Sequence, residues 1–280
     1  MPTIPFCNPG VTYNGLHSTK NPTAAAIAAD LATTKQHFGV ARTYYPQYGG
    51  GLVDVGKVAK DANLNLLLGL FLFPGHDDWT DGDYQRFVKP AVARGNIEGI
   101  LVENEDPDMI GYGIIPEYLQ QAKSDFPQVG TSQISSFWFS DGRAEHLLPL
   151  VDFIGVNIYP TWEWQRADAN NQPIGVNAET GFNSFTTTYD QIRLKYPGRQ
   201  IVVTETGWPT TFGQIGSHQF AVGINARDYL QRVIGWAQGQ QVVLYIHNMF
   251  DDQFGVDASS PFNYPFGLID NTGKPKGILF

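Results

Sequence analysis

Two glutamates carry the first chemical suggestion. Glu105 closes the apolar run IEGILVENE (97–105), and Glu205 closes QIVVTE (200–205). Three acids fall within residues 103–106, Glu103, Glu105 and Asp106, and like charges so close repel one another. A folding argument alone would not choose them. Two carboxylates facing across a cleft suit glycoside hydrolysis: one protonates the leaving oxygen, and the other attacks the sugar or activates water. Aromatic side chains crowd the same segments, and ring faces pack against the C–H faces of pyranoses. Tyr13, Tyr44, Asn157, Tyr159 and Trp208 are therefore candidates to line a sugar site, with Trp208 as its floor.

Such residues need elements to position them. Eight apolar runs recur: 11–14, 39–46, 64–74, 98–105, 129–135, 151–160, 200–209 and 241–252. Helical patterns follow them near 22–38, 52–63, 80–94, 115–126, 142–149, 181–196 and 217–238, and a weak helix or tail ends the chain. Continuous apolar runs mark strands buried on both faces. Eight strand–helix units in 280 residues predict an α/β fold, a single (β/α)8 TIM barrel over 1–280 with few insertions. An open doubly wound sheet is the rival, but no glycine-rich phosphate loop follows the first run. In a barrel the chemistry sits at the C-terminal ends of the strands. Both glutamates stand there.

At this point the chain resembles a known family. NE (104–105), VNIYP (156–160), TETGWP (204–209), ARTYYP (41–46) and GLIDNTGKPK (267–276) look like the corresponding segments of glycoside hydrolase family 17, in the right order. That family comprises β-1,3-glucanases and glucanosyltransferases, and the short chain is similar to its compact fungal cell-wall members. The resemblance implies a retaining double displacement. Glu205 would be the nucleophile, Glu105 the acid/base, and Asn104 would bind the sugar 2-hydroxyl. It implies β-1,3-glucan as donor and acceptor, a monomer, no metal or organic cofactor, and a secreted or cell-wall location. The family usually has glycine before the Asn-Glu pair, where this chain has Glu103. Strand alternation predicts that Glu103 and Glu105 both point inward. A carboxylate buried a layer deeper needs a partner, and Arg42 is the candidate.

Trp162 and Trp164 flank Glu163 in the polar stretch 161–180. They read as a sugar platform on the acceptor side or as anchors for a long loop. His76, Asp77 and Asp78 lack companion ligand spacing and read as a solvated loop rather than a metal site.

Composition narrows the classes. The net charge of −9 and pI near 5.0 argue against nucleic acid. No apolar stretch reaches the roughly 18 residues of a membrane span. Cys7 is the single cysteine, so an intramolecular disulfide is impossible. MPTIPFCNPG lacks the charged and apolar regions of a secretory signal, which leaves a cytoplasmic chain or one whose signal has been removed. Beside a glucanosyltransferase stand three other readings: an endo-β-1,3-glucanase using the same site, a non-catalytic glucan-binding barrel, and an intracellular enzyme of unrelated chemistry.

Overall fold

The eight apolar runs form eight strands: β1 (Gly10–Tyr13), β2 (Val40–Thr43), β3 (Asn65–Leu70), β4 (Ile97–Asn104), β5 (Val129–Ile134), β6 (Phe153–Asn157), β7 (Gln200–Thr206) and β8 (Val243–Ile246). The computed structural model describes residues 4–5, 9–73, 76–77, 82–105, 113–163, 177–210, 213–215, 218–220, 224–252 and 265–280. The side chains of 73, 76–77, 162–163, 213–215 and 218–220 lie outside that description. All eight strands pair in parallel in chain order, and β1 pairs with both β2 and β8. The barrel is closed, so the sheet has no free edge.

Helices cover the outside: α1 (Ala24–His37), α2 (Val55–Asp61), α3 (Lys89–Arg94), α4 (Ile114–Asp125), α5 (Ser135–Ser140), α6 (Arg143–Leu147), α7 (Ala178–Lys195) and α8 (Ile224–Gln240). Side-chain caps start several of them. Thr23 accepts from the Ala26 amide at 3.2 Å, Asp54 from Lys57 at 2.8 Å, and Asn177 from Thr180 at 3.0 Å. Each satisfies an amide that the helix leaves unpaired. The helix expected near 142–149 is α6, continued by a 3-10 turn over Leu148–Leu150, and a further helix, α5, precedes it. Asp141 separates them by folding back on the Arg143 amide at 2.9 Å. After β8 the described residues form no helix. The tail pairs instead through bridges from Phe250 to Ile269 and from Ile269 to Pro275. Among the described residues, no helix is long and apolar enough to cross a membrane.

Two apolar clusters result. The larger lies between strands and helices. The smaller fills the barrel: Val40, Leu67, Leu101, Phe153, Val202, Val243 and Tyr245 meet there, with Ile4 closing the bottom. Counting two residues along each strand from this layer gives the next layer up. It reads Arg42, Gly69, Gly155, Thr204 and His247, with Thr12 and Ser132 joining from β1 and β5, and on β4 the count reaches Glu103. The barrel thus changes from apolar to polar within one layer.

Gly69 leaves a gap in that layer. A Cβ there would stand 2.3 Å from the Thr43 carbonyl oxygen and 2.8 Å from the Tyr44 Cα. The missing side chain lets the end of β2 lean inward. Gly69→Ala should cost about 1–3 kcal/mol, because the obstacle is backbone and cannot rotate away. A lower midpoint in chemical denaturation checks this; an unchanged midpoint would refute the close approach.

Candidate active site

Glu205 is buried, 4% exposed, and its carboxylate is surrounded by donors. The Arg42 guanidinium forms an ion pair with Oε1 through Nη1. Tyr44 donates to Oε1 at 2.8 Å, and Tyr159 donates to Oε2 at 2.5 Å. His247 Nδ1 stands 3.7 Å from Oε2. Burial alone would raise the carboxyl pKa. The charge of Arg42 outweighs it, with help from His247 and the two phenols, and the group is held below the usual carboxylate range. Glu205 is therefore an anion in a dry, donor-rich pocket.

Glu105 lives in the opposite environment. Its carboxyl accepts a hydrogen bond from Asn157 Nδ2, at 2.6 Å on Oε1. Burial pushes its pKa up, the negative Glu205 adds to this, and the result is about 7 against a usual 4.5. Asn157 and Arg42 pull it partly back. Two carboxyls whose surroundings drive their proton affinities apart can divide acid and anion roles between them.

The strands deliver both glutamates by the same device. On β7, alternation puts Thr204 inside, since its hydroxyl donates to Asn157 Oδ1 at 2.7 Å. Glu205 should then point out. The register slips here: Val156 pairs with Val203, but Asn157 pairs with Glu205. That bulge turns two consecutive residues inward. On β4 the register slips between Leu101 and Asn104 against β5. Asn104 then pairs with Ser132, on the inward face, and Glu105 follows it into the site. The backbone takes φ of 70° at Glu103 and 66° at Glu105. The left-handed region is strained for any residue with a Cβ. Position 103 is thus one that glycine would occupy without strain.

This corrects the expectation that Glu103 points inward to Arg42. Glu103 is inaccessible at 1% exposure, but it accepts from Gln133 at 2.6 Å, and Gln133 also donates to Thr131. Residues 131 and 133 share the face of Ile154 and Val156, which pack toward the helices. The bulge has turned Glu103 to that side. Arg42 goes to Glu205 instead, and its Nη2 donates to Asn104 Oδ1 at 2.6 Å and to Ser132 at 3.5 Å.

Three other candidates change character. Asn157 is fully engaged: Nδ2 donates to Asn104 and Glu105, and Oδ1 accepts from Ser132 and Thr204. Its amide positions Glu105 and has no hydrogen left for a sugar. Trp208 is 0% exposed and lies 5.2 Å from the Tyr229 ring of α8. Its ring edge fills the space over Gly181 of α7, where a Cβ would come within 2.5 Å. It anchors the helices and is not a floor for sugar. Tyr13 is also 0% exposed and donates to Asp30 of α1 at 3.0 Å. It ties β1 to α1 and does not face the cleft.

Tyr44 and Tyr159 do meet at the site, on the nucleophile candidate. Asn104 remains open. A cationic donor on Oδ1 fixes its amide orientation, so Nδ2 is the free end, and it makes no hydrogen bond among the described residues. The Trp162 side chain, Trp164 and Asp78 lie outside the described residues, as do the side chains of His76 and Asp77. Sequence reasoning missed Ser132 and Thr204, which bond to each other at 2.9 Å under the site. A small hydroxyl residue inside a buried run was the available signal for each.

Two outcomes follow. The folded pKa of Glu105 lies above its unfolded value, so its stabilising share is complete below pH 4.5 and lost as pH rises through about 7. Glu105→Gln does not ionise. After allowance for screening in a half-open cleft, it should be more stable than wild type by about 2 kcal/mol at pH 8 and equal near pH 4. Thermal unfolding at the two pH values checks the sign. Arg42→Ala leaves a buried carboxylate without its cation, so it should lose about 3–5 kcal/mol at neutral pH, measured by denaturant unfolding.

Known proteins resemble this chain in sequence and in fold. A curated relative, the probable beta-glucosidase btgE of Aspergillus terreus, is 24% identical over 212 residues, which is 72% of this chain and 35% of that protein. The chain thus spans about a third of that relative's length. Among solved structures, an active-site mutant of Rhizomucor miehei beta-1,3-glucanosyltransferase in complex with laminaritriose superimposes with a TM-score of 0.77 at 18% identity, over 97% of this chain and 96% of that one. An endo-laminarinase from Formosa Hel1_33_131 gives 0.76 at 16% identity, over 98% and 87%. At such identities these likenesses show the fold. A crystal structure of the glycoside hydrolase family 17 beta-1,3-glucanosyltransferase from Rhizomucor miehei, the family the sequence resembles, shares that fold at 19% identity, with a TM-score of 0.77 over 97% of this chain and 96% of that one. The family model of the BtgE/BtgC glycoside hydrolase domain matches residues 10–264, and the chain belongs to that family.

Proposed function

We propose that this domain cleaves β-1,3-glucan through a covalent glycosyl-enzyme and passes the glycosyl unit to another glucan. The observation that carries the reading is the opposed state of the two carboxyls: Glu205 held as an anion by Arg42, and Glu105 raised to about 7 by burial. Glu105, protonated, gives its proton to the glycosidic oxygen. Glu205 attacks the anomeric carbon as that C–O bond breaks, and the released fragment leaves with a new hydroxyl. Glu105 is now a carboxylate. It takes the proton from an incoming hydroxyl, whose oxygen attacks the anomeric carbon and expels Glu205. Two inversions give net retention. The free amide end of Asn104 is suited to hold the 2-hydroxyl beside the bond.

The β-1,3 linkage is supported by the solved relatives, one of which binds laminaritriose and another of which is named for cleaving laminarin. Hydrolysis uses the same first half-reaction and ends with water in place of the acceptor. The endo-laminarinase likeness, nearly as close as the transferase one, favours keeping it as the second reading. On either reading we expect a monomer working outside the cell, at the wall where such glucans are found.

Incubation with laminari-oligosaccharides resolves the outcomes: longer products mean transfer, only shorter ones mean hydrolysis, and none leaves a binding barrel. The role assignment has a sharper check. Glu205→Ala should lose turnover by several orders of magnitude, because nothing else can form the glycosyl-enzyme. Glu105→Ala should still be glycosylated by a donor with a good leaving group, and azide should then release a β-glycosyl azide. If the azide product comes from Glu205→Ala and not from Glu105→Ala, the roles are reversed.

A further inference from the structure

His247 stands above Val243 and Tyr245 in the inward layer of β8, and its side chain is 23% exposed. Its Nδ1 lies 3.0 Å from Thr12 Oγ1 and 3.2 Å from Tyr44 Oη. Tyr44 has one phenolic proton and turns it to Glu205 Oε1 at 2.8 Å, the anion being the stronger acceptor. The Tyr44 oxygen therefore offers only a lone pair to His247. A bare Nδ1 would repel it, so Nδ1 carries the hydrogen and donates to Tyr44 and Thr12. This assigns the tautomer. Nε2 is then an acceptor, and it has no hydrogen-bond partner among the described residues. The Tyr159 and Phe266 rings hold the imidazole edge-on at 5.8 and 5.5 Å, so it cannot easily turn away.

An acceptor beside the nucleophile needs an O–H donor, and a sugar presents several. We propose that His247 is a further substrate-binding residue: its Nε2 accepts from a glucosyl hydroxyl seated over Glu205, while its Nδ1–H holds Tyr44 on that carboxylate. The proposal rests on the glucan reading above and adds a contact to it. One ring would thus sense the sugar on one side and order the nucleophile's shell on the other.

Protonation would turn Nε2 from acceptor to donor and abolish the contact. The titratable and charged groups that face the ring are Glu205 from β7, Arg42 of β2 and Tyr44 after it, Tyr159 after β6 and Asp252 after β8. Burial keeps the imidazole below its ordinary range; Glu205 and Asp252 oppose this, and Arg42 supports it. The contact is therefore intact at neutral pH and lost on the acid side.

The test separates the two nitrogens. His247→Asn keeps a donor near Nδ1 and removes Nε2. His247→Gln keeps an oxygen near Nε2 and removes the Nδ1 donor. With 2,4-dinitrophenyl β-laminaribioside, His247→Asn should raise KM about 3–10-fold, the worth of one neutral hydrogen bond, with kcat within about twofold. Its acid limb in kcat/KM should move to lower pH, because the titrating ring is gone. His247→Gln should show the reverse: KM near wild type and kcat reduced, as Tyr44 loses its tether. Thermal unfolding confirms that both variants fold. An unchanged KM and acid limb in His247→Asn would overturn the substrate contact. Equal defects in both variants would reduce the ring to a packing role and overturn it too. Wild-type protein that neither cleaves the laminaribioside nor binds laminaritriose in calorimetry would instead sink the glucan reading on which the contact rests.

Discussion

The buried pair of Arg42 and Glu205 is the constraint around which the rest of the barrel mouth is arranged. Neither group can leave water cheaply. The penalty for each ion is several kcal/mol, and mutual attraction repays it only when the remaining lone pairs and hydrogens are also satisfied. The structure meets most of that condition from five strands, although the buried Arg42 Nε finds no hydrogen-bond partner among the described residues. Tyr44 and Tyr159 complete the carboxylate, and Asn104 and Ser132 take the second arm of the guanidinium. Tyr44 also lies against the guanidinium face, 4.4 Å from carbon to ring centroid. Such an arrangement is weak evidence for stability, since apolar residues of similar volume would fill the space at less cost. It is strong evidence for a carboxylate that must stay charged and fixed.

The second carboxyl depends on the first through one chain of amides. Arg42 orients Asn104, Asn104 accepts from Asn157, and Asn157 donates to Glu105. Ser132 and Thr204 hold the other end of Asn157. A single buried cation thus orders both glutamates, one by charge and one by relay. The Asn157 bond to Glu105 favours the anion, while burial and Glu205 oppose it. The balance near 7 is what a group needs if it is to give a proton and take one back within a cycle.

Much of this was legible in the sequence. Continuous apolar runs such as NLLLGL read as strands buried on both faces, and eight of them alternating with helices, with no glycine-rich phosphate loop, favoured the closed barrel over an open sheet. Polar residues at the ends of those runs named Glu105, Glu205, Arg42, Tyr44 and Tyr159. What could not be read was orientation. Alternation predicts facing only along a regular strand, and both glutamates sit at bulges. One slipped residue on β4 sent Glu103 toward the helices and brought Asn104 inward. Another on β7 brought Glu205 in beside Thr204. The partner of Arg42 was misjudged for this reason alone. Trp208 was misread for a related one: after the bulge, Thr206 faces α8 at 2.6 Å from the Tyr229 hydroxyl, and the chain carries Trp208 to the same side.

The bulges also explain why strain and chemistry coincide here. A regular parallel strand presents alternate residues to the interior, spaced by two positions, so it cannot place Asn104 and Glu105 side by side. Placing consecutive side chains in one site requires a break in the ladder, and on β4 that break takes left-handed backbone at Glu103 and Glu105. Each such residue costs on the order of 1–3 kcal/mol and persists only where its surroundings over-determine it. Here they do: Gln133 holds the Glu103 carboxylate, Ser132 accepts the Glu105 amide hydrogen at 2.9 Å through its carbonyl, and Asn157 holds the Glu105 side chain. A glutamate in place of the glycine that such a backbone favours adds to the cost. The hydrogen bond from Gln133 offsets part of it, and the carboxylate remains on the far side of the strand from the reacting pair.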